Sequence, residues 1–331
     1  MATMKQVAER AGVSVATVSY VLNETRKMRP ETQRRVLSAA KELEYSPNAA
    51  ARALVSGRNS LLGLIVPDLG NPFFPEITKA FQDAARFSGL ETIVMNTNYD
   101  SQRTRDTIDR LVSLQVPGAA FLTSQVDPTI RRALSEKGIC AVYLEHEVSG
   151  PHISNIAIDY RQGMESAVTH LADLGHRRIG YIGGPANGSS ARRRKVAYLD
   201  CAAARGIESR VVDSDFSVQG GYFSCSKLLN DFPATAVVAA NDLMAIGALH
   251  SAYDRKVRVP AELSIVGFDD ITFAQYTQPA LTTIAVPREE VGRLAFQSLW
   301  ALVCDLNRAG AEYQVKTQLV VRQTTAPPGG G

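Results

Sequence analysis

The chain falls into two parts that differ in their pattern of hydrophobic and polar residues. Before residue 60, small apolar residues recur at helical spacing in short stretches separated by turn residues. After residue 60, short continuous apolar runs alternate with longer amphipathic stretches. The first pattern predicts a small helical unit, and the second predicts buried parallel strands connected by helices.

Two short helices joined by a tight turn are predicted at the N-terminus. Thr3 and Gln6 have the spacing of a capping box, which begins the first helix. Gly12 permits a left-handed turn, and Ser14 can cap a second helix over residues 15–23. The inward-facing residues of the two helices are predicted to be Val7, Ala8, Ala11, Val18, Val21 and Leu22.

A third helix begins near Pro30, because proline suits the first helical turn. Its predicted buried residues are Val36, Leu37, Ala40 and Leu43. The outer face of the second helix offers only uncharged side chains, namely Val15, Ala16, Thr17, Ser19 and Tyr20. This arrangement is typical of a helix-turn-helix DNA-binding unit, although a helical cap that serves only packing gives the same pattern.

An alanine-rich segment follows the three helices. Pro47 opens it and Gly57 closes it, so a helix of about two turns is predicted. A helix this short is marginal in water and needs a partner to form. Leu54 has no evident domain to pack against, which makes it a candidate for insertion into DNA. A plain linker is the alternative interpretation.

The remainder of the chain predicts an α/β fold with two similar lobes. Apolar runs predict strands at 61–67, 91–96, 119–123, 141–144, 153–158, 178–185, 236–240 and 263–268. Ligands of such folds bind where loops leave the carboxyl ends of strands. Here those loops are 68–74, 183–194, 241–242 and 269–270, and they contain Asn, Asp, Arg and Phe. A polar small-molecule cleft between the lobes is therefore predicted.

The charge distribution favours a nucleic-acid partner for the helical part. Residues 1–60 contain ten Lys and Arg against five acidic residues, a net charge of +5, while the whole chain carries +3. The remaining residues therefore carry −2. A basic helical unit attached to a nearly neutral body is typical of a DNA reader joined to another domain.

Composition favours a folded protein of the reducing cytoplasm. Hydrophobic residues make up 45% and charged residues 21% of the chain, and no apolar run reaches membrane-spanning length. The N-terminal residues lack the apolar region of an export signal. The four cysteines are scattered without CxxC pairing, so neither a disulfide framework nor a zinc site is expected.

Enzymatic motifs are incomplete, so we expect no catalytic residue, metal or cofactor. Residues 183–190 have the glycine spacing of a phosphate loop, but Ser189 stands where the phosphate-binding lysine is required. Residues 224–227 match SxxK without its partner motifs. The five histidines have no metal-ligand spacing. A sugar-binding transport protein and an enzyme on the same sheets are the two rival functions.

Several ordered motifs closely resemble the lactose-repressor (LacI/GalR) family of transcriptional regulators. Residues 5–23 resemble its DNA-binding head, and residues 45–54 resemble its hinge helix. Residues 171–179, 240–247, 264–270 and 279–284 match motifs of its effector-binding core. The resemblance spans about residues 2–326. It implies a dimeric repressor with an all-α helix-turn-helix head and an α/β core similar to periplasmic binding proteins, built from two parallel-sheet lobes.

The resemblance also implies domain boundaries. It gives a DNA-binding domain over residues 1–46, a hinge helix and linker over 47–60, an effector-binding core over 61–326 and a flexible tail over 327–331. The chain is expected to cross between lobes near 157, 285 and 317, so lobe one comprises about 61–157 and 286–316, and lobe two about 158–285 and 317–326. No leucine heptad follows residue 322, so dimers are expected rather than tetramers.

For DNA, the resemblance assigns base contacts to Val15, Ala16 and Tyr20 and a minor-groove wedge at the operator centre to Leu54. Tyr20 stands where Arg or His is common, which leaves the outer operator bases open. Positions that match phosphate contacts are Ser14, Thr17, Asn23, Tyr45 and Asn48. The expected partner is a pseudo-palindromic double-stranded operator.

For the effector, the resemblance assigns a pocket to Asn71, Phe73, Asp159, Arg194, Phe216, Asn241 and Asp269. The pair Asn241 and Asp269 is typical of sugar-responsive members, so a sugar is the first expectation. However, the run Arg193-Arg194-Lys195 is unusually basic. A phosphorylated or acidic effector is therefore the alternative.

Overall fold

A computed structural model describes residues 2–22, 26, 28–45, 60–123, 127–146 and 149–329. The chain divides into a small unit, Met1–Ser60, and a large unit, Leu61–Gly331. The helices of the small unit are α1 (Met4–Ala11), α2 (Val15–Leu22) and α3 (Pro30–Glu42). The segment predicted as a hinge helix, over residues 47–60, lies outside the described residues except for Ser60.

The predicted start of the small unit is confirmed in detail. Thr3 and Gln6 form the reciprocal capping box, with Gln6 N–H donating to Thr3 Oγ1 at 3.3 Å and Thr3 N–H donating to Gln6 Oε1 at 2.8 Å. Gly12 ends α1 in the left-handed conformation at a φ of 62°. The guanidinium of Arg35 on α3 donates to Ala11 O at 3.0 Å through Nε and to Gly12 O at 2.9 Å. The turn that separates α1 from α2 is thereby tied to α3.

One predicted core residue of the small unit is misplaced. The buried residues of α3 are Val36, Ala39 and Ala40, with Leu43 packed at the edge of the cluster. Leu37 is instead 48% exposed, because it follows Val36 by one residue and so points about 100° away around the helix. The apolar stripe of α3 is therefore narrower than the sequence suggested.

The large unit alternates strands and helices along its whole length. Its strands are β1 (Leu61–Val66), β2 (Glu91–Asn96), β3 (Gly118–Phe121), β4 (Cys140–Leu144), β5 (Ile153–Ile158), β6 (Arg178–Gly183), β7 (Glu208–Asp213), β8 (Ala236–Ala239), β9 (Ser264–Asp269), β10 (Thr282–Ala285), β11 (Glu312–Val315) and β12 (Gln318–Val320). Its helices are α4 (Phe73–Phe87), α5 (Ser101–Ser113), α6 (Pro128–Glu136), α7 (Tyr160–Asp173), α8 (Ser189–Ala204), α9 (Val218–Asp231), α10 (Asp242–Asp254) and α11 (Arg288–Cys304), with a 3₁₀ turn at Thr272–Tyr276.

Two six-stranded sheets form the two predicted lobes. The first-lobe sheet has the order β11-β5-β4-β3-β1-β2, and all its neighbouring strands run parallel. The second-lobe sheet has the order β12-β10-β9-β8-β6-β7 and is parallel except for the antiparallel pair of β10 and β12. The central strands are buried on both faces, which explains their continuous apolar runs.

The chain passes between the two sheets three times. It leaves the first sheet after β5, returns after β10, and enters the second sheet again between β11 and β12. Helix α11, which follows the second passage, packs against α4 and the first-lobe strands β3, β4 and β5. Among the described residues, no helix combines the length and apolar character that a membrane span requires.

Candidate functional sites

A cavity of about 230 Å³ lies within the large unit, where both sheets present the carboxyl ends of their strands. The first lobe contributes residues that follow β1 to β5, and the second lobe contributes residues that follow β6 to β9. In open parallel sheets, ligands bind at the carboxyl ends of the strands, where the loops provide the ligand-binding side chains. The volume lies below the range of about 300–1,000 Å³ that is typical of drug-sized ligands, so a small ligand is indicated.

The cavity brings together six of the seven residues expected to bind an effector. They are Asn71, Phe73, Arg194, Phe216, Asn241 and Asp269. Asp159 is the exception, since it is not among the described residues that line the cavity. Its carboxylate accepts a bond from Gln162 N–H at 2.9 Å, which caps α7, and one from Gln314 Nε2 at 3.1 Å. Asp159 therefore caps α7 and links that helix to β11, and its contact with an effector stays a prediction.

Arg194 and Asp269 form the charged centre of the cavity. Arg194 donates from one terminal nitrogen to Asp269 Oδ1 at 3.3 Å and from the other to Ala240 O at 2.5 Å. Its guanidinium carbon lies 4.7 Å from the ring centre of Tyr160 and 4.6 Å from that of Phe268. Arg194 Nε is buried without a hydrogen-bond partner among the described residues. A buried donor left unpaired is costly, so this part of the cavity wall carries unfavourable free energy.

Two asparagines serve the local structure and line the cavity at the same time. Asn241 caps α10 by accepting a bond from Met244 N–H at 2.9 Å, and its Nδ2 donates to Phe216 O at 3.0 Å. Asn71 accepts a bond from Phe73 N–H at 3.0 Å. Each amide retains further donor or acceptor capacity, because an asparagine amide offers two donors and two acceptor lone pairs.

The aromatic ring of Phe216 depends on a glycine in the neighbouring loop. A Cβ placed on Gly184 would lie 2.3 Å from the ring, far inside any allowed contact. Gly184 follows β6, in the stretch that has the glycine spacing of a phosphate loop. The glycine at this position therefore makes room for a ring that lines the cavity.

Backbone strain is concentrated around the cavity. Four of its non-glycine residues have left-handed backbone conformations: Tyr99 (φ 56°), Glu145 (φ 67°), Phe216 (φ 67°) and Asp269 (φ 109°). Each such residue costs of order 1–3 kcal/mol and persists only where surrounding contacts enforce it. The clustering of strain at this cavity supports a functional role for it.

Sequence reasoning missed several cavity residues, chief among them Glu145 and Tyr160. Glu145 follows β4, is 5% exposed and accepts a bond from Ile158 N–H. Burial raises the pKa of Glu145, and the nearby Arg193 lowers it. Burial also raises the pKa of Tyr160, so its hydroxyl stays protonated. Both residues lie just after predicted strands, and that position was the signal that could have identified them. Other cavity residues missed are Tyr99, Thr123 and Asp215, whereas Asn187 and Ser190 lie in the predicted loop 183–194.

The basic run at the start of α8 is largely neutralised by acidic residues of the large unit. Arg193 lies 2.7 Å from Glu145 Oε2, and Arg194 contacts Asp269. Lys195 donates to both oxygens of Asp213, at 3.0 and 2.9 Å. These side chains therefore contribute less positive potential to the cavity than the sequence suggested.

A buried carboxyl lies beneath the second-lobe side of the cavity. Asp242 is fully buried and accepts bonds from Ile271 N–H at 2.8 Å and from the Thr283 hydroxyl. Burial raises its pKa well above the usual range, and the neighbouring charge of Asp269 raises it further. Gly267 makes room for this carboxyl, since a Cβ there would lie 2.1 Å from Asp242 Oδ1.

In the small unit, α2 presents the side chains expected to read DNA. Val15 is 45% exposed, Tyr20 is 40% exposed, and Ala16 is also exposed. Ser14 Oγ accepts a bond from Thr17 N–H at 3.1 Å and so caps α2. Tyr45 packs at the edge of the helical cluster. The expected contacts Asn23, Asn48 and Leu54 lie outside the described residues.

A helix-turn-helix unit followed by two parallel-sheet lobes around a cavity with hydrogen-bonding and aromatic side chains defines a class: DNA-binding regulators that respond to a small molecule. Comparison with known proteins identifies the family. Residues 3–48 match the lacI family of bacterial regulatory proteins, and residues 168–325 match the periplasmic binding protein-like domain. The HTH-type transcriptional repressor PurR from Photobacterium profundum is 32% identical over 330 residues, which cover 98% of each protein.

Solved structures agree with this assignment. The lac repressor dimer bound to operator and the anti-inducer ONPF matches with a TM-score of 0.89 and 27% identity, over 98% of this chain and 99% of that one. A LacI family regulator from Enterococcus faecium with bound ribose matches with a TM-score of 0.75 and 27% identity, over 81% of this chain and 99% of that one. The chain belongs to the lacI family. It is a DNA-binding transcriptional regulator with an effector-binding domain, and not an enzyme.

Proposed function

We propose that this regulator is a repressor that binds a pseudo-palindromic operator as a homodimer and is controlled by a small sugar in the cavity of the large unit. Repressors of this type bind operator DNA and small-molecule effectors and form dimers. Because its target is DNA, we place the protein in the cytoplasm. The observation that carries the proposal is the cavity at the strand ends, in which buried hydrogen-bonding side chains lie beside aromatic rings.

The chemistry of the cavity favours a neutral polyhydroxyl ligand. Asp269, Asn71 and Asn241 can pair with hydroxyl groups. The ring of Phe216 offers an apolar surface to the face of a sugar. The ribose found in the related Enterococcus regulator is a ligand of this kind.

The charges of the cavity argue against a phosphorylated or acidic effector. Its carboxylate residues are Glu145, Asp215 and Asp269, whereas the cationic side chain in the lining is Arg194. Arg193 and Lys195, which suggested an acidic ligand, are paired with Glu145 and Asp213. With Glu145 and Asp269 each paired to an arginine, Asp215 leaves the described lining with a net negative charge, which is unfavourable for a phosphate group inside a cavity of low dielectric constant.

A thermal-shift screen tests the effector class. The panel is D-ribose, D-glucose, D-galactose and cellobiose, then ribose 5-phosphate and glucose 6-phosphate, then adenosine and guanosine. We expect one neutral sugar to raise the melting temperature in a concentration-dependent way, since a ligand that binds only the folded state stabilises it. A shift produced only by a sugar phosphate or a nucleoside would contradict the proposed class.

On DNA, we propose that Val15, Ala16 and Tyr20 contact bases in the major groove. Ser14, Thr17, Asn23, Tyr45 and Asn48 are proposed to contact phosphates. Valine and alanine side chains suit the methyl group of thymine, and a tyrosine hydroxyl can bond to a base edge. The exposure of Val15 and Tyr20 on α2 supports this assignment. We retain Leu54 as a proposed wedge between the central base pairs, on the sequence resemblance alone.

Effector control is proposed to act through the two lobes. An effector that binds one arrangement of the lobes better than another shifts the population toward it. If the hinge segments bind DNA in only one arrangement of the lobes, effector and operator must change each other's binding affinity by the same factor. Calorimetric titration of the sugar identified by the screen, with and without operator, checks this; equal affinities would contradict the proposal.

A further inference from the structure

A small polar cluster joins the first lobe to the second at one edge of the effector cavity. Glu76 on α4 belongs to the first lobe and accepts two bonds. The Thr272 hydroxyl, from the second lobe, donates to Glu76 Oε1 at 2.7 Å, and Arg288 Nε donates to Glu76 Oε2 at 2.8 Å. Both carboxylate oxygens of Glu76 are thus engaged, one of them by a residue of the other lobe.

Arg288 extends this cluster to the cavity. It is the first residue of α11, directly after the chain leaves β10, and its side chain is only 12% exposed. Besides its bond to Glu76, it donates from a terminal nitrogen to the backbone carbonyl of Asp269. One guanidinium therefore holds Glu76 of the first lobe and the main chain of a cavity residue. Such a fork is geometrically restrictive, because the donors of arginine are fixed in one plane.

Asp269 needs such support because its backbone is strained. It has a φ of 109°, and the next residue, Asp270, has a φ of 54°. Two successive non-glycine residues in this region persist only where contacts enforce them. Asp270 is held by Arg322 at 2.6 Å, and the Asp269 carboxylate meets Arg194 at 3.3 Å. Arg288 binds the carbonyl of Asp269 and so leaves its carboxylate directed to the cavity.

We propose that Glu76, Arg288 and Thr272 form an interlobe clasp that positions Asp269 for the effector and couples the cavity to α4. Arg288 and Glu76 are positioning residues, since they act through Asp269. The inference rests on the proposed function only in taking Asp269 as an effector ligand. When the lobes change their arrangement, the Thr272 bond to Glu76 is one that must break, and the hold of Arg288 on Asp269 changes with it.

Hydrogen exchange of the full-length protein, without DNA or effector, tests the clasp. The variant Glu76→Gln lies on the first lobe, yet we expect it to speed exchange in residues 264–276 of the second lobe by about tenfold, as for loss of one charge-assisted hydrogen bond. Thr272→Val removes only the bond between Thr272 and Glu76, and it is expected to speed exchange in residues 73–87 of the first lobe. Glu289→Gln, at an exposed position beside Arg288, is the matched control and should change neither segment.

A titration separates positioning from general stabilisation. Five charged or titratable groups interact electrostatically with Asp269: Arg194, Arg288, Asp242, Tyr160 and Tyr99. The titration of Asp269 is measured as the difference in unfolding free energy between a protein with Asp269 and the same protein with Asp269→Asn, followed over pH. Because the Arg288 cation lowers the pKa of Asp269, Arg288→Gln should move the midpoint of this difference to higher pH. Arg288→Lys keeps the charge but not the fork, so it should restore this midpoint and leave exchange raised.

The clasp is contradicted if Glu76→Gln and Thr272→Val leave exchange across the lobe boundary at the wild-type rate. It is also contradicted if Arg288→Gln leaves the titration of Asp269 unchanged. Neither measurement involves DNA or a sugar, so failure here is distinct from failure of the proposed function, which the operator and effector assays report separately.

Discussion

Replacing Asp269 by asparagine should stabilise the protein at pH 8 while weakening effector binding. The pKa of Asp269 is raised to about 6 from an ordinary value of 3.8, first because the group is buried, although Arg194 and Arg288 lower it. Asparagine has nearly the same shape and can still accept a bond from Arg194, but it carries no charge. The substitution therefore removes the cost of burying an ionised carboxylate and keeps the packing.

The magnitude follows from linkage between protonation and folding. One pKa unit corresponds to about 1.4 kcal/mol, so ionised Asp269 lowers the free energy of unfolding by about 3 kcal/mol at pH 8. The folded state takes up the proton at a higher pH than the unfolded state. Protonation therefore stabilises the wild type at low pH, and this stabilisation is lost as pH rises through about 6. The advantage of Asp269→Asn should fall to about half its pH 8 value at pH 5.

Urea unfolding at pH 8, 6 and 5 measures this difference directly. Asp231→Asn, at an exposed position, is the control and should change stability by less than about 0.5 kcal/mol at every pH. The same Asp269→Asn protein should lose most of the thermal shift given by the sugar identified in the screen. The reasoning is refuted if Asp269→Asn is no more stable than wild type at pH 8, or if its advantage does not shrink toward pH 5.

Three further predictions concern two residues proposed to contact DNA and a buried histidine. Tyr20→Ala should weaken operator binding by about 1–3 kcal/mol and leave the salt dependence unchanged, as measured by fluorescence anisotropy at several salt concentrations; a changed slope would point to a phosphate contact. Leu54→Ala should weaken specific binding more than non-specific binding in the same assay, and equal losses would refute the wedge role. Burial lowers the pKa of His176, so the stability due to its neutral ring is present above about pH 6.5 and is lost as pH falls. His176→Gln should therefore reduce the difference in unfolding free energy between pH 7.5 and pH 5.5, measured by urea unfolding. An unchanged difference would contradict this.

The fold class was predictable because its strongest signals are local. Buried strands such as β1 and β9 read as continuous apolar runs, and Gly12 marks the turn between α1 and α2. The strands missed from the pattern were β7, β10, β11 and β12, which are short or lie toward the sheet edges. An edge strand has one neighbour and partly faces solvent, so its residues need not be apolar; β7 has no buried residue at all.

In the candidate site, the predictable residues were those that follow a predicted strand or match a family motif. Asn241 and Asp269 follow strands and match the family pattern, and both line the cavity. Asp159 has the same sequence features and caps α7, yet it is not among the described residues that line the cavity. Glu145 escaped notice because its role depends on the approach of Arg193 from the other lobe, a contact that no local pattern encodes.

Two further features of the site could not be predicted from the sequence: backbone conformation and ion pairing. Nothing in the sequence marks Asp269 as left-handed, because glycine is the usual residue there and contacts distant in the chain enforce the conformation. The basic run of α8 suggested an acidic ligand, but the acids that neutralise it are Glu145, Asp213 and Asp269, which lie far from it in sequence.

The most direct test of the central claim is anisotropy of a labelled symmetric operator titrated with the full-length protein. It is carried out with and without the sugar that gives the largest thermal shift, and with a scrambled duplex of equal length as control. The account predicts tight binding to the symmetric duplex alone and a changed affinity when the sugar is present, with that change abolished in Asp269→Asn. Equal binding to both duplexes, or an operator affinity indifferent to the sugar, would contradict it.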